Sequence, residues 1–250
     1  MLNGKIAIVT GGAMNIGKAI AAGLAGAGAN IVIADINLNA AEETARELSE
    51  KFGVSTLAVE MDVTEETSRE NLIKTVIDRY GKIDILCNNA GVQLKKLRLE
   101  DLTEEEWDVT MNINNKGMVF LTKLVAEKMK ENGGGKIINT SSINQMICSQ
   151  DNMCYIISKN TVGGITKQLA VDLAPYNINV NAVAPGYINT RMNAVTFSIP
   201  GRIEQICKSI PLGRIAEPEE LAGTFVFLAD SASDYVTGQV VYVDGGFTLL

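Results

Sequence analysis

The chain has 250 residues, of which 46% are hydrophobic and 20% charged, a composition that predicts one soluble globular domain with a sizeable core. The net charge of −7 and the scattered basic residues disfavour nucleic-acid binding, and no apolar run is long enough to cross a bilayer. We therefore expect a cytoplasmic protein without nucleic-acid or membrane partners. The sequence contains no histidine, which excludes His-ligated metals and Ser-His-Asp triads. Proton transfer then falls to Tyr, Lys, Asp, Glu or water, and no metal site is predicted.

Short apolar runs alternate with helical patterns from one end of the chain to the other. The predicted strands are Lys5–Thr10, Asn30–Asp35, Val54–Glu60, Ile83–Asn88, Lys136–Thr140, Asn177–Ala182 and Gln239–Val243. The predicted helices are Ile16–Ala27, Ala40–Lys51, Glu65–Tyr80, Glu104–Glu131, Cys154–Ala174 and Pro218–Ala229.

This alternation, with Val and Ile throughout the strands, indicates a parallel sheet covered on both faces. The predicted fold class is α/β: a doubly wound, Rossmann-type domain with about seven parallel strands and helices on both faces. One domain is expected over residues 1–250, with a substrate loop or lid at about 187–215. Ligands of such sheets bind beyond the carboxyl ends of the strands, which is where we expect the chemistry.

A glycine-rich turn, Thr10-Gly11-Gly12-Ala13-Met14-Asn15-Ile16-Gly17, follows the first predicted strand. Glycines let a backbone approach a pyrophosphate closely, and the helix that begins here offers free N–H groups to that anion. A turn that serves packing alone is the alternative. The second strand ends at Asp35, eighteen residues after Gly17, where a carboxylate accepts hydrogen bonds from the adenosine ribose and repels a 2′-phosphate. The sequence therefore predicts NAD as the cofactor, unless Asp35 only caps the next turn.

A tyrosine and a lysine, Tyr155 and Lys159, stand one helical turn apart on the same face of a predicted helix. A free phenol has a pKa of about 10, too high for a base at neutral pH. A neighbouring ammonium group and a positively charged nicotinamide would stabilise the phenolate and lower that pKa. The pair is thus a candidate general acid/base, although an exposed helix pair without function is the alternative.

The chain resembles the short-chain dehydrogenase/reductase family over essentially its whole length. The resemblance rests on the turn at Thr10–Gly17, on Asn88-Asn89-Ala90-Gly91, on Tyr155…Lys159 and on Pro185-Gly186, in the family's order and spacings. It implies that Ser142, thirteen residues before Tyr155, and Asn114, seven residues after Trp107, match the family's catalytic serine and asparagine. One departure is Asn15, which stands where the family has glycine; asparagine tolerates the left-handed backbone region, so the turn can form.

The resemblance also implies a role for each residue. Tyr155 exchanges the proton with the substrate oxygen, Ser142 hydrogen-bonds that oxygen, and Lys159 holds the nicotinamide ribose and lowers the Tyr155 pKa. Asn114 positions a water that links Lys159 to solvent, and Ile188 and Thr190 hold the nicotinamide carboxamide. The predicted cofactor contacts are Gly11, Asn15, Ile16, Gly17, Asp35, Asp62, Val63, Asn89, Ala90, Gly91, Tyr155, Lys159, Pro185, Gly186, Ile188 and Thr190.

The segments expected around the reacting carbon are rich in hydrogen-bonding side chains. The predicted substrate contacts are Gln93, Ser142, Asn144, Gln145, Gln150, Tyr155 and Tyr187. We therefore predict an NAD-dependent oxidoreductase that transfers a hydride between the cofactor and a small polar secondary alcohol or ketone, such as a sugar, polyol or hydroxy acid. The alternatives are a 3-oxoacyl thioester reductase, a hydroxysteroid dehydrogenase and, from another class, an NAD-sensing regulator without turnover.

A homotetramer is also predicted, because the long fourth and fifth helices are apolar on more than one face. A helix that is apolar nearly all round must be covered on both sides. The sheet covers one side, and the family resemblance suggests that another subunit covers the other.

Overall fold

The computed structural model describes residues 1–94 and 97–249 and contains one seven-stranded sheet. The strands are β1 (Ile6–Thr10), β2 (Asn30–Asp35), β3 (Thr56–Glu60), β4 (Ile85–Asn88), β5 (Gly135–Thr140), β6 (Ile178–Pro185) and β7 (Val240–Val243). The helices are α1 (Asn15–Gly26), α2 (Leu38–Phe52), α3 (Glu66–Tyr80), α4 (Glu104–Met111), α5 (Met118–Glu131), α6 (Met153–Leu173), α7 (Ala194–Phe197), α8 (Arg202–Lys208) and α9 (Glu219–Ala229). Residues 95, 96 and 250 of the predicted domain lie outside the described residues.

The sheet is parallel throughout and its order is β3-β2-β1-β4-β5-β6-β7. The chain builds outward from β1 to β3 and then returns, so that β4 pairs with the other edge of β1. This reversal opens a crevice beyond the carboxyl ends of β1 and β4, the place where such sheets bind ligands. The doubly wound fold predicted from the sequence is confirmed.

Two apolar layers hold the sheet between the helices. Side chains alternate across a strand, so Ala7 and Val9 of β1 face one layer while Ile6 and Ile8 face the other. The first layer packs α1, α2 and α9 on the sheet, with Phe225 fully buried in it. The second packs α3, α5 and α6 on the opposite face. Because both faces of the interior strands are buried, their residues are mainly apolar.

The predicted helix Glu104–Glu131 is interrupted, which corrects the sequence interpretation. A π-helical turn over Asn112–Gly117 separates α4 from α5. Two local contacts accompany it. The Asn114 side chain forms hydrogen bonds with the backbone of Val92. Gly117 packs against the segment that follows β3, where a Cβ on Gly117 would stand 2.5 Å from the Val63 carbonyl oxygen. Such turns occur often at functional sites, and periodicity alone does not reveal them.

Two further differences concern chain ends and short elements. β6 continues to Pro185, three residues beyond the predicted Ala182, because Pro185 still aligns with Val243 of β7. The short helices α7 and α8, of four and seven residues, lie inside the segment 187–215 predicted as a lid and are too short to show a helical period. The remaining boundaries agree with the prediction within two residues. Among the described residues, no helix combines the length and apolarity needed to cross a membrane.

Candidate active site

Two adjoining cavities, of about 330 Å³ and about 610 Å³, open at the carboxyl ends of the strands. Both are lined by Gly11, Asp35, Ala90 and Gly91. Most residues predicted as cofactor contacts line the smaller cavity: Gly11, Asn15, Ile16, Gly17, Asp35, Asn89, Ala90, Gly91, Tyr155, Lys159, Pro185, Gly186, Ile188 and Thr190. Asp62 and Val63 line the larger one. The structure thus brings every predicted cofactor residue to one continuous region.

The glycine-rich turn has the geometry that a close ligand requires. Gly11 has a φ of +59°, a region that favours glycine. A Cβ on Gly17 would stand 1.9 Å from the Gly11 carbonyl oxygen, so only glycine fits there. The helix α1 that follows has neither a capping side chain at Met14 nor an acidic residue in its first turn. Its leading N–H groups remain available for an anion, which fits a pyrophosphate.

Asn15 fills the position where the resemblance would place a glycine. Its φ is +49°, so the backbone adopts the left-handed conformation expected for this position. Its side-chain oxygen points across the turn and accepts a hydrogen bond from the Arg191 backbone N–H at 3.4 Å. Asparagine therefore preserves the turn and adds a contact to the lid segment, by which we mean residues 187–215.

Asp35 is buried at the end of β2 and lines both cavities. One carboxylate oxygen accepts a hydrogen bond from the Ala13 N–H at 3.1 Å, and the other accepts one from the Asn37 N–H at 3.0 Å. Each oxygen keeps a further lone pair for a ligand hydroxyl. The carboxylate is therefore fixed in orientation while remaining able to accept hydrogen bonds from the cavity.

Hydrogen bonds across the β1–β4 crevice fix the Asn89-Ala90-Gly91 segment. The Thr10 hydroxyl accepts hydrogen bonds from the N–H groups of Asn89, at 2.9 Å, and Ala90, at 3.0 Å. The Asn89 amide donates in turn to the Thr10 and Gly11 carbonyl oxygens. These bonds hold the wall of the cavity against the glycine-rich turn.

Tyr155, Lys159 and Ser142 meet in the smaller cavity. Lys159 is only 6% exposed, its Nζ donates to the Thr140 carbonyl oxygen at 2.9 Å, and the same atom lies 5.7 Å from the centre of the Tyr155 ring. Burial lowers the pKa of Lys159 to about 8. The two groups of the predicted acid/base pair are thus adjacent, with the Lys159 ammonium buried and Tyr155 half-buried in the cavity wall.

Burial raises the pKa of Tyr155 above its ordinary value, and a hydrogen bond with Ser142 acts in the opposite direction. The predicted lowering of this pKa by Lys159 and a bound nicotinamide concerns the complex with the cofactor and stays a prediction. The pKa is raised because the loss of phenolate hydration on burial outweighs the stabilisation of the phenolate by Ser142. Ser142 itself accepts a hydrogen bond from the Asn144 N–H at 3.2 Å, which fixes its hydroxyl at the end of β5.

Asn114 is buried behind the cavity wall and does not line either cavity. Its amide accepts from the Val92 N–H at 2.8 Å and donates to the Val92 carbonyl oxygen at 2.9 Å and to the Ser158 hydroxyl at 3.0 Å. A Cβ on Gly91 would stand 3.2 Å from Asn114 Oδ1 and 3.6 Å from Lys159 Nζ. Asn114 Oδ1 and Lys159 Nζ therefore both adjoin the narrow space that a side chain on Gly91 would fill.

The predicted substrate contacts divide into two groups. Gln93, Ser142, Asn144, Tyr155 and Tyr187 line the smaller cavity. Gln145 and Gln150 do not, which corrects their placement. The Gln145 side chain accepts a hydrogen bond from the Ser141 hydroxyl at 2.7 Å and packs against Gly163, while Gln150 is exposed on the outside.

Seven polar lining residues were missing from the prediction: Thr140, Ser141, Ser149, Asn152, Asn193, Thr196 and Arg202. Thr140 and Ser141 directly precede Ser142, and the other five lie in the stretch after Ser142 or in the lid segment, the two regions already expected to surround the substrate. Composition could have drawn attention to them, but irregular backbone has no period that tells which side chains turn inward.

Comparison with known proteins agrees with this geometry. Residues 11–248 match a family model described as enoyl-(acyl carrier protein) reductase. The chain is 38% identical to an NAD-dependent glycerol dehydrogenase of Listeria innocua, over 98% of this chain and 94% of that protein. It is 39% identical to a 3-oxoacyl-[acyl-carrier-protein] reductase of Thermotoga maritima, over 99% of both chains.

A solved structure shows the same architecture. The gluconate 5-dehydrogenase of Burkholderia cenocepacia, in complex with NADP and tartrate, superimposes with a TM-score of 0.95 at 36% identity, covering 100% of this chain and 97% of that one. Fold, motif order and relatives agree along the whole chain. The chain therefore belongs to the short-chain dehydrogenase/reductase family, oxidoreductases that use a nicotinamide cofactor on alcohols and ketones.

Proposed function

We propose that this protein is an NAD(H)-dependent dehydrogenase of a small polar secondary alcohol, acting reversibly on the corresponding ketone. The observation that carries the proposal is the meeting of Tyr155, Ser142 and Lys159 in a cavity whose lining also includes the carboxylate of Asp35. Such an arrangement provides a proton-transfer group, a hydrogen-bond donor for the reacting oxygen and a recognition group for the adenosine ribose in one cavity.

The nicotinamide, when bound, accepts the hydride in alcohol oxidation and supplies it in ketone reduction. The chain's own residues handle the proton. In oxidation the Tyr155 phenolate takes the hydroxyl proton of the substrate, and in reduction the phenol returns it to the oxygen of the ketone. Ser142 hydrogen-bonds the same oxygen as its charge changes, and Lys159, fixed by the Thr140 carbonyl, stabilises the phenolate electrostatically.

In this proposal the proton passes from Tyr155 to solvent by way of Lys159 and a water positioned by Asn114. Lys159 adjoins Asn114 across Gly91, and Asn114 sits in the π-helical turn that interrupts the helical pattern. We assign Asn114 a positioning role: it fixes the Val92 backbone and with it the space in which a water can relay the proton from Lys159.

The preference for NAD rests on Asp35. A 2′-phosphate would be placed against a buried carboxylate whose oxygens are already fixed by two backbone N–H groups. The next residues, Ile36-Asn37-Leu38, offer no cation to offset the repulsion. The named relatives include one described as NAD-dependent and one solved with NADP, so the cofactor must be measured for this chain.

The preference for a small polar substrate rests on Gln93, Asn144 and Tyr187, which line the cavity near the proposed catalytic group. Buried amides without partners cost about 1–3 kcal/mol, so such walls suit hydroxyl-rich ligands. The glycerol dehydrogenase relative agrees with this choice. The Thermotoga relative, together with the apolar side chains of Ile143, Ile147 and Met192, supports a 3-oxoacyl thioester reductase as the second candidate.

The deciding experiment is a substrate panel with the purified protein, followed by NADH absorbance in both directions. It contains polyols, sugars, hydroxy acids, hydroxysteroids and 3-oxoacyl thioesters, each with NAD(H) and NADP(H). We expect the highest kcat/KM for a small polar compound with NAD(H). A thioester or steroid that leads by tenfold or more would favour the alternatives, and NADH binding without turnover of any compound would favour a regulator.

Homotetramer formation is proposed as well. In the isolated subunit, Phe120 of α5 is 44% exposed and Val171 of α6 is 71% exposed, so both helices carry apolar side chains on their outer faces. A subunit contact would cover them. Light scattering at micromolar concentration should give the mass of four chains, and a monomer would contradict the proposal.

A further inference from the structure

The smaller cavity contains three charged side chains among its described lining residues: Asp35, Lys159 and Arg202. Two of them already have fixed partners. Asp35 is bonded to two backbone N–H groups, and Lys159 is buried with its ammonium on the Thr140 carbonyl oxygen. Arg202, the first residue of α8, differs from them because the only hydrogen-bond partner of its side chain among the described residues is a side chain of its own helix, Gln205.

The guanidinium of Arg202 keeps most of its donors free. It forms one hydrogen bond, to the Gln205 side-chain oxygen at 2.7 Å. No carboxylate in residues 1–94 and 97–249 forms an ion pair with it. A guanidinium has five N–H donors in a planar fork that matches a carboxylate.

The other arginine near the cavity mouth is used differently. Arg191 donates from Nη1 to the Met14 sulfur at 3.2 Å, and its backbone N–H bonds the Asn15 side chain. Both contacts hold it against the glycine-rich turn. Arg202 is exposed and lines the same cavity as the neutral hydrogen-bonding side chains of Ser149, Asn193 and Thr196, so its guanidinium is open to a ligand from solvent.

We infer that Arg202 binds the carboxylate of the substrate, so that the preferred alcohol is a small hydroxy acid and its product an oxo acid. This inference rests on the proposed function and sharpens it by adding a charge requirement. A neutral polyol would fill the same cavity while leaving the guanidinium unpaired. A carboxylate would receive a forked, charge-assisted hydrogen bond, which is about twice as strong as a neutral one.

The test compares substrates that share a carbon skeleton and differ in the carboxylate. D-gluconate against D-sorbitol and D-glycerate against glycerol form two such pairs. In the unmodified protein we expect the acid of at least one pair to have the higher kcat/KM with NAD.

Two substitutions then examine the side chain. Arg202→Gln should raise KM for the acid about tenfold while changing KM for the neutral partner less than twofold. Arg202→Lys, which keeps the charge and loses the fork, should lie between. Lys208→Gln, on the exposed outer end of the same helix, is the matched control and should change neither value. A fluorescence titration with NADH should be the same in all variants.

A binding measurement keeps the two proposals apart. With NADH present, D-gluconate should raise the thermal midpoint of the unmodified protein more than D-sorbitol does, and Arg202→Gln should remove that difference. If no alcohol is oxidised but this difference is found, the proposed reaction fails and the anion site stands. If polyols are oxidised and Arg202→Gln raises KM for acids and polyols equally, or for neither, the inference is overturned and the proposed dehydrogenase activity stands. Weaker NADH binding in Arg202→Gln would assign the guanidinium to the cofactor and overturn it too.

Discussion

At the glycine-rich end of the cavity the side chains follow directly from the ends of central strands, whereas at the lid end they come from loops and two short helices. Thr10, Asp35 and Asn89 each bond a backbone group of a neighbouring segment. At the lid end Ser149 lies on a loop, Asn193 on a short 3₁₀ turn, and Thr196 and Arg202 on the short helices α7 and α8. Of these four described side chains only Asn193 bonds a backbone group, the Ile188 carbonyl oxygen at 2.9 Å. The first end is thus fixed by the same hydrogen bonds that fix the sheet, while the second can vary without disturbing it.

This difference explains why one scaffold accommodates relatives that are named for glycerol, gluconate and acyl thioesters. The proposed proton-transfer group, Tyr155, stands where the two ends meet, because it lies on α6 and bonds Ser142 at the end of β5. Substitutions at this meeting point should therefore have the largest effects, and those at either end should separate cofactor from substrate recognition.

The largest effect is expected from Tyr155→Phe, which removes the proposed proton-transfer group and little volume. General acid–base groups contribute about 10²–10⁴-fold. Turnover should fall by that factor while NADH binding, followed by fluorescence, stays nearly unchanged. Tyr235→Phe, at a fully exposed tyrosine, is the control. A Tyr155→Phe protein that keeps more than about a tenth of the original kcat would remove Tyr155 from its role.

Ser142→Ala should come next, because loss of a donor to a developing oxyanion costs about 10²–10³-fold in kcat. It should also move the pH profile. Burial raises the Tyr155 pKa and Ser142 lowers it, so removing Ser142 raises it further. Alcohol oxidation needs the phenolate and increases with pH, so its rising limb should shift to higher pH in the variant. A limb that stays in place or shifts to lower pH would show that Ser142 does not act on Tyr155.

Asp35→Ser examines the glycine-rich end. A preference for NAD of about 10²-fold corresponds to ~2.7 kcal/mol, which one misplaced charge can supply. The variant should reduce the ratio of kcat/KM for NAD over NADP, chiefly because NAD binds more weakly. Glu60→Gln, at the paired position on β3 and exposed, should leave it unchanged. Equal kcat/KM for NAD and NADP in the unmodified protein would contradict the proposed role of Asp35.

The sequence could predict more at the glycine-rich end of the cavity, which is built on strand ends, than at the lid end, which is built on loops and short helices. Strand ends are visible as apolar runs, so the sequence alone was enough to place Gly11, Asp35 and Asn89 at the ligand-binding edge of the sheet. Gln145 could not be placed in this way, because its amide turns back to Ser141 and α6 through contacts that no local pattern encodes. The π-helical turn at Asn114 and the place of Arg202 beside the cavity also depend on tertiary structure. The raised pKa of Tyr155 depends on burial, which a motif does not report.

The smallest effect is expected at Asn15, where the two ends touch. Its φ of +49° is costly for alanine and free for glycine, and its side chain bonds the Arg191 N–H. Asn15→Ala should lower the free energy of unfolding by about 1 kcal/mol, because alanine loses the hydrogen bond to Arg191 and the local side-chain bonding by which asparagine offsets part of the left-handed cost. Asn15→Gly should nearly restore it, so comparing the two in urea separates backbone strain from the side-chain bond. If the Arg191 contact also orders the lid segment, substrate KM should rise by the same small factor in both variants. Equal stability of Asn15→Ala and Asn15→Gly would show that the turn relaxes when its side chain changes, and the cofactor end would then be less rigid than its hydrogen bonds imply.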